Sequence, residues 1–162
     1  MKSKLPQVIK IIVFLSFGLC ACSPGLIAGT KIHSTDDNND IYNIVTTVLN
    51  ALEEQDSETI LGFVSSRYFE NMGTPNPDDD YGYHELKETI LPASIKATKE
   101  FYLSFEIHEI VASQNQAYAD IRYRSRARIE TPSGASMWDS HKEFNRIEFI
   151  KTDNRWKISA GL

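Results

Sequence analysis

Cysteine is almost absent from this sequence, and the little there is lies near the N-terminus. Only two of the 162 residues are cysteine, Cys20 and Cys22. A fold stapled by disulfides needs cysteines spread along the chain, so that class of small secreted protein is excluded. The eight glycines and six prolines are too few for a collagen-like or low-complexity chain. Folding must therefore rest on a hydrophobic core, and 41% of the residues are hydrophobic.

A surplus of basic residues is also missing. The chain has 17 Lys and Arg against 22 Asp and Glu, a net charge of −5, whereas nucleic-acid-binding proteins usually carry excess positive charge. The sequence has no glycine-rich phosphate-binding loop and no Gly-x-Ser-x-Gly nucleophile motif. Its four histidines, at positions 33, 84, 108 and 141, lack the spacing of metal ligands. We therefore expect no nucleic-acid partner, no metal and no cofactor.

The apolar run at the N-terminus is too short to cross a membrane. Residues 11–19 are mostly apolar and follow Lys2, Lys4 and Lys10. A membrane-spanning helix needs roughly 20 apolar residues, and this run has about half that number. A basic segment followed by a short apolar run is typical of a secretory signal peptide.

The apolar run ends in the pattern Leu19-Cys20-Ala21-Cys22, and Ser23 follows this pattern. The pattern resembles the lipobox of bacterial lipoproteins. The resemblance implies cleavage before Cys22, lipidation of Cys22 and attachment to the cell envelope through acyl chains. Ser23 implies the periplasmic face of the outer membrane if the host has two membranes. The alternative is an ordinary signal peptide cleaved near the same place.

The chain then divides into a polar segment and a single domain. Residues 23–39 mix Gly, Ser, Thr and Asp with few apolar side chains, which favours a flexible linker. We therefore expect a lipoprotein signal peptide over residues 1–21, a flexible tether over 22–39 and one domain over 40–162.

Helical periodicity dominates the first part of this domain. Apolar residues recur at helical spacing over 41–55, after a capping Asp40, and again in a shorter helix that follows Asp56. A third helix is predicted over 84–98. Because proline cannot donate the helical hydrogen bond, we expect a kink or break at Pro92.

The period changes to two from Phe101 onward, which predicts four antiparallel strands, each with one face toward the core. A two-residue loop in the first hairpin would set Ile107 beside Arg122, so we expect a three-residue loop over 114–116 that pairs Ile107 with Tyr123. Each strand's apolar residues then lie together on one face.

The next turn is expected to centre on Ser133, which places Asp120 opposite Arg146. The same register puts three polar residues of the third strand on the apolar face. These are His141, Glu143 and Asn145, opposite Ser125, Tyr123 and Ile121.

Three short segments carry a family resemblance: Ala51-Leu52-Glu53 in the first helix, Arg67-Tyr68-Phe69 after the second, and Asn154-Arg155-Trp156-Lys157-Ile158 in the last strand. Their order resembles the nuclear transport factor 2-like, or cystatin-like, superfamily. The resemblance implies an α+β fold in which N-terminal helices pack in a strongly curved four-stranded antiparallel sheet, cone-shaped around a cavity. That family includes ketosteroid isomerase, dehydratases, polyketide cyclases and non-catalytic binding domains, so the fold does not decide the function. The catalytic residues of ketosteroid isomerase do not match this sequence, and no catalytic role is carried over.

Two groups of residues are candidates for function. The first is a pocket on the apolar face of the sheet, where unpartnered polar groups would be costly to bury: Tyr123, His141, Glu143 and Asn145. The second is an interaction surface on the other face, suited to an anionic partner or a second copy of the chain: Arg122, Arg124, Arg126 and Arg128. For each group there is a plainer interpretation. In the first, a bulge turns the residues outward or they lie at the exposed end of the sheet; in the second, the arginines form a solvated face that pairs across strands with Glu106, Asp120 and Glu148.

Taken together, these features favour a membrane-anchored lipoprotein without enzymatic activity, whose domain binds a small apolar ligand or an envelope protein. A homodimer through the sheet face is a further expectation. The alternative is an isomerase, cyclase or dehydratase that transfers a proton through His141, Glu143 and Tyr123.

Overall fold

A computed structural model describes residues 25–131 and 134–162. The predicted signal peptide, Cys22 and the centre of the second hairpin turn at Ser133 lie outside the described residues. The fold is α+β, with helices followed by a four-stranded antiparallel sheet, as predicted. The elements are α1 (Asp36–Glu54), α2 (Ser57–Phe63), β1 (Phe69–Glu70), β2 (Tyr81–Gly82), α3 (Tyr83–Glu85), α4 (Leu91–Ala97), β3 (Thr98–Ser113), β4 (Gln116–Glu130), β5 (Ser136–Thr152) and β6 (Arg155–Ala160).

Helix α1 begins earlier than predicted. Its N-cap is Thr35, whose side-chain oxygen accepts a hydrogen bond from the backbone N–H of Asn38 at 3.2 Å, so the start predicted after Asp40 is wrong. Two aspartates, Asp36 and Asp37, occupy the first turn, where the helix dipole favours negative charge.

The segment before α1 is packed onto the domain. Leu26 and His33 form an isolated antiparallel bridge, and Ile27 donates its backbone N–H to the carbonyl of Ile32 at 2.9 Å. The side chain of Ile32 is 5% exposed and belongs to the hydrophobic core. The packed part of the chain therefore begins before residue 40.

The later helices follow the sequence closely. Asp56 caps α2 through a 3.1 Å bond from the N–H of Thr59, as predicted. The predicted kink near Pro92 takes the form of a π-helical turn, Leu86–Ile90, between α3 and α4. A single π-helical turn inside a helix is rare, and it is one of the recognised causes of a kink.

The four long strands form a simple meander in the order β3-β4-β5-β6. The register of β4 against β5 is the predicted one, with Asp120 opposite Arg146 and Arg128 opposite Trp138. It continues without a shift from Gln116 to Glu130. Alternation of apolar and polar side chains sufficed here because neither strand contains a bulge.

The register predicted for the first hairpin is wrong. The loop has two residues, since Ser113 pairs with Gln116, and Ile107 lies opposite Ile121 instead of Tyr123. A register shift between Ile107 and Glu109 moves the strand by one residue. This bulge keeps apolar residues facing each other on both sides of it, which removes the objection to the short loop.

The face of the sheet toward the helices is here called the inner face, and it supplies nine of the 21 buried hydrophobic residues of the described chain. The opposite side is called the outer face. Helix α1 crosses the inner face, and its two ends are fixed to different strands. At its start, Asp37 contacts Lys151 and Trp156, and near its end Glu53 accepts the backbone N–H of Leu103 at 3.2 Å.

Within the described residues, no helix is long and apolar enough to span a membrane.

Candidate functional site

A cavity of about 230 Å³ lies on the inner face between α1 and strands β3 to β5. Its walls are mostly apolar. The lining residues are Leu49, Leu52, Phe101, Leu103, Ile121, Tyr123, Ser125, Asn145, Ile147, Gly161 and Leu162. Helix α1 contributes two leucines, and the strands contribute their inward-facing side chains.

Residues 161 and 162 close one side of this cavity. Gly161 has a φ of 89°, and a Cβ added there would lie 2.1 Å from the carbonyl oxygen of Arg146, so only glycine fits. The hydroxyls of Tyr68 and Tyr81 donate to the carbonyl of Leu162 at 3.3 and 3.0 Å. Burial raises the pKa of both tyrosines, which keeps them protonated as donors.

Asn145 links the closing segment to the sheet. Its side-chain amide donates to the carbonyl of Gly161 at 2.9 Å, while its side-chain oxygen accepts the backbone N–H of Arg146 at 2.9 Å. The amide is thus satisfied on both sides and holds the closing segment in place.

A line of four polar side chains extends from the cavity along the inner face. The hydroxyl of Tyr123 donates to Oε2 of Glu143 at 3.3 Å. Nδ1 of His141 lies 3.5 Å from Oε1 of Glu143, and its Nε2 lies 2.8 Å from Oδ2 of Asp139. We call Tyr123, Glu143, His141 and Asp139 the polar line. It can relay hydrogen bonds from solvent to the cavity's edge.

The charges along the polar line influence one another. The hydrogen bond and the negative charge of Asp139, followed by those of Glu143, raise the pKa of His141. Burial, followed by the charge of Glu143, raises the pKa of Tyr123. The line therefore presents an imidazole that favours its protonated form, between two carboxylates, and a neutral phenol beside the cavity.

The outer face carries the four arginines predicted as an interaction surface. Arg122 forms an ion pair with Glu106, and Arg128 forms one with Glu100. The guanidinium carbon of Arg126 lies 4.2 Å from the centroid of the Trp138 ring.

Asp120 does not pair with any of these four arginines. Asp120 takes both of its bonds from Arg146, at 2.7 and 2.8 Å. Within residues 25–131 and 134–162, Arg124 forms no ion pair; it stands between Ser104 and Lys142 on the neighbouring strands. The face is thus partly neutralised, with excess positive charge around Arg124.

No protein-family model and no curated protein matches this chain. Solved structures do. A ketosteroid isomerase-like protein from Erwinia carotovora atroseptica has a TM-score of 0.63 at 15% identity, covering 79% of this chain and 95% of its own. A proposed dehydratase of the NTF2-like family from Streptomyces avermitilis has a TM-score of 0.59 at 14% identity, with coverages of 77% and 93%. A conserved protein from Planctomyces limnophilus has a TM-score of 0.64 at 14% identity, with coverages of 77% and 92%.

This chain has the NTF2-like fold. At these identities the likeness concerns the fold alone, and it confirms the architecture expected from the sequence resemblance. Part of the inner face is open, because residues 137, 141 and 143 of β5 are exposed.

The structure brings the four predicted pocket residues onto one face but gives them two different positions. Tyr123 and Asn145 line the cavity. His141 and Glu143 lie beside it on the inner face, with side chains about half exposed, at 50% and 57%. His141 and Glu143 therefore fit the plainer interpretation, a position at the exposed end of the sheet. Side-chain contacts still connect them to Tyr123.

Sequence reasoning did not assign most of the cavity wall to a site. Periodicity predicts that Leu52 and Leu103 are buried without saying whether the buried face is filled, so it does not assign them to a site. Asp139 has a usable signal, because a residue two positions before His141 on a strand lies on the same face. Gly161 and Leu162 gave no signal, since their role depends on tyrosines far away in sequence.

Among the described residues, no group of three or more His, Cys, Asp or Glu is arranged to hold a metal ion. The side chains that line the cavity and form the polar line offer apolar contact, hydrogen bonding and proton transfer.

Proposed function

We propose that this protein is a lipid-anchored protein of the cell envelope whose NTF2-like domain binds a small, mostly apolar molecule without transforming it. The observation that carries the proposal is the inner cavity, with its apolar wall and its polar line at one side. Binding sites for small molecules usually combine a concave apolar surface with a few polar groups that orient the ligand.

The size and charge of the site restrict the ligand. A cavity of about 230 Å³ exceeds the roughly 150 Å³ of an engineered apolar cavity that takes up benzene. The polar line contains two carboxylates, Asp139 and Glu143, which disfavour an anionic group at that side. We therefore infer a ligand about the size of one or two rings, with a neutral or cationic polar end near Tyr123.

Attachment to the membrane rests on the sequence before residue 25. The basic segment, the short apolar run and the lipobox-like pattern ending at Cys22 support lipidation at that cysteine. Cells fed an alkyne fatty acid should label the wild-type chain, and Cys22→Ser should abolish the label. Labelling that persists in Cys22→Ser would contradict an anchor at this residue.

Dye binding tests the cavity. The neutral two-ring fluorophore 1-aminonaphthalene should bind the full chain with a change in its fluorescence. Ser125→Phe should weaken that binding by roughly tenfold or more, because Ser125 lines the cavity and a ring there fills it. Ser104→Phe is the matched control, since Ser104 is an exposed serine on the outer face of the neighbouring strand. Equal loss in both variants, or loss in neither, would contradict the proposal.

A catalytic alternative is favoured by one observation, the continuous contact from Tyr123 through Glu143 to His141. Such a line can accept a proton from a bound substrate and pass it to solvent. The description of one structural neighbour as ketosteroid isomerase-like points toward proton transfer next to a carbonyl.

Proton exchange into a simple ketone distinguishes the two functions. If the alternative holds, the protein should speed deuterium uptake at the carbon beside the carbonyl of cyclohexanone in D2O, and Glu143→Gln should abolish this. Dye binding without any such exchange supports the non-catalytic proposal.

A further inference from the structure

Part of strand β5 lies beyond the end of its partner strand β6. Strand β6 pairs with β5 only from Glu148 to Thr152. In the part of the chain that the structure describes, residues 136–144 therefore have β4 on one side and no strand on the other. This edge is about 30 Å long, at roughly 3.4 Å per residue.

The backbone groups that face outward along this edge can be identified. Lys151 donates its backbone N–H toward the β4 side, to the carbonyl of Asn115 at 2.8 Å. Alternate residues of a strand direct their N–H and C=O groups to opposite sides, and the register of β4 with β5 is unbroken. The even-numbered residues therefore point away from β4: Ser136, Trp138, Ser140, Lys142 and Phe144.

On the opposite edge of the sheet, two side chains from the helical part bond backbone groups of β3. Along β3, the N–H of Leu103 is bonded by Glu53, and the carbonyl of Thr98 accepts the side-chain amide of Gln55 at 3.3 Å. Both partners come from the end of α1. On β5, the N–H of Arg146 is satisfied by the neighbouring Asn145, but this protection stops short of residue 144. An exposed edge of this length is a template for another strand.

We propose that a second copy of this chain pairs with the free edge of β5, with the two β5 strands antiparallel and a two-fold axis at Ser140. Ser140 is the midpoint of residues 136–144, so this register uses the whole edge on both copies. A two-fold axis gives the same contacts to each copy.

Charge complementarity selects this register over its neighbours. With the axis at Ser140, Asp139 lies opposite the partner subunit's His141, and Trp138 lies opposite the partner subunit's Lys142. Moving the axis to residue 141 would place Asp139 opposite the partner subunit's Glu143, and moving it to 142 would set two lysines side by side. Opposite charges across a strand pair stabilise it, whereas like charges destabilise it. The proposal is independent of ligand binding and of the membrane anchor.

A proline substitution tests the proposal in solution. In a chain carrying Cys20→Ser and Cys22→Ser, sedimentation should show a concentration-dependent dimer. Ser140→Pro removes an N–H that points away from β4, so the sheet itself keeps its hydrogen bonds while edge pairing is blocked. The dimer dissociation constant should rise by roughly tenfold or more, and Ser140→Ala should leave it unchanged. A dimer that survives Ser140→Pro, or a chain that stays monomeric at high concentration, would overturn the proposal.

Crosslinking tests the register without relying on the fold of the proline variant. In the same cysteine-free chain, Ser140→Cys should form an intermolecular disulfide readily, because residues paired on the axis lie about 5.5 Å apart between Cα atoms. Ser104→Cys, an exposed residue of the outer face, should not. Preferential crosslinking at residue 104 would mean that outer faces pack together instead, and would overturn edge pairing.

Discussion

The imidazole ring of His141 lies between two carboxylates on the inner face. It contacts a carboxylate through each ring nitrogen, Asp139 at 2.8 Å and Glu143 at 3.5 Å. Because these contacts raise its pKa, the protonated form is favoured in the folded protein. The resulting stabilisation is present below the ordinary histidine pKa of about 6.5 and is lost as the pH rises through the higher folded value.

Asp139→Asn should lower the pKa of His141, because Asp139 makes the largest contribution to the raised value. An NMR titration of the His141 ring protons measures this directly. Glu130→Gln is the control, since Glu130 pairs with Lys99 at 2.7 Å and does not contact His141. If Asp139→Asn left the titration unmoved, the contact between the two side chains would not form in solution.

The start of α1 is joined to the sheet through the carboxylate of Asp37. Oδ1 of Asp37 accepts hydrogen bonds from Lys151 at 2.7 Å and from the indole N–H of Trp156 at 2.9 Å. Trp156 is 3% exposed, so Asp37 supplies the acceptor that its buried indole needs. These bonds lower the pKa of Asp37.

Asp37→Ala should therefore lower the free energy of unfolding by about 1–3 kcal/mol, the usual cost of leaving a buried donor without a partner. Urea denaturation at neutral pH measures the change. Asp36→Ala is the matched control in the same helical turn and should cost less, about 0.3–1 kcal/mol.

The pH dependence has a definite sign. Since the folded pKa of Asp37 is lowered, its stabilisation is present above the ordinary aspartate pKa and is lost as the pH falls through the folded value. A difference between wild type and Asp37→Ala that did not shrink in acid would contradict this assignment.

Predictability from sequence also differs between elements. The β4–β5 register followed from alternation, because nothing interrupts it between Gln116 and Glu130. The β3–β4 register did not, since the shift after Ile107 absorbs one residue without any local signal. The start of α1 was misplaced because Thr35 and Asp40 are both good N-cap residues, and the packing of Ile32 onto the core favours the earlier one.

For the whole molecule, the sequence predicted the fold better than the site. The order of helices and strands was sufficient for the NTF2-like architecture, and inward alternation placed Tyr123 and Asn145 at the cavity. The cavity lies where Leu49 and Leu52 of α1 face the strands and where Gly161 turns sharply against Arg146. Both features require residues that are far apart in the sequence to come together, and no local sequence pattern predicts such contacts.

Native mass spectrometry of the full chain, gently extracted in detergent, shows whether the inner cavity holds a small apolar molecule. We expect an additional mass of about one small ring compound that is lost on denaturation. Ser125→Phe should abolish that mass, and Ser104→Phe should retain it. A mass that matches the chain with its covalent modifications alone, with no uptake of added 1-aminonaphthalene, would mean that the cavity binds no such molecule.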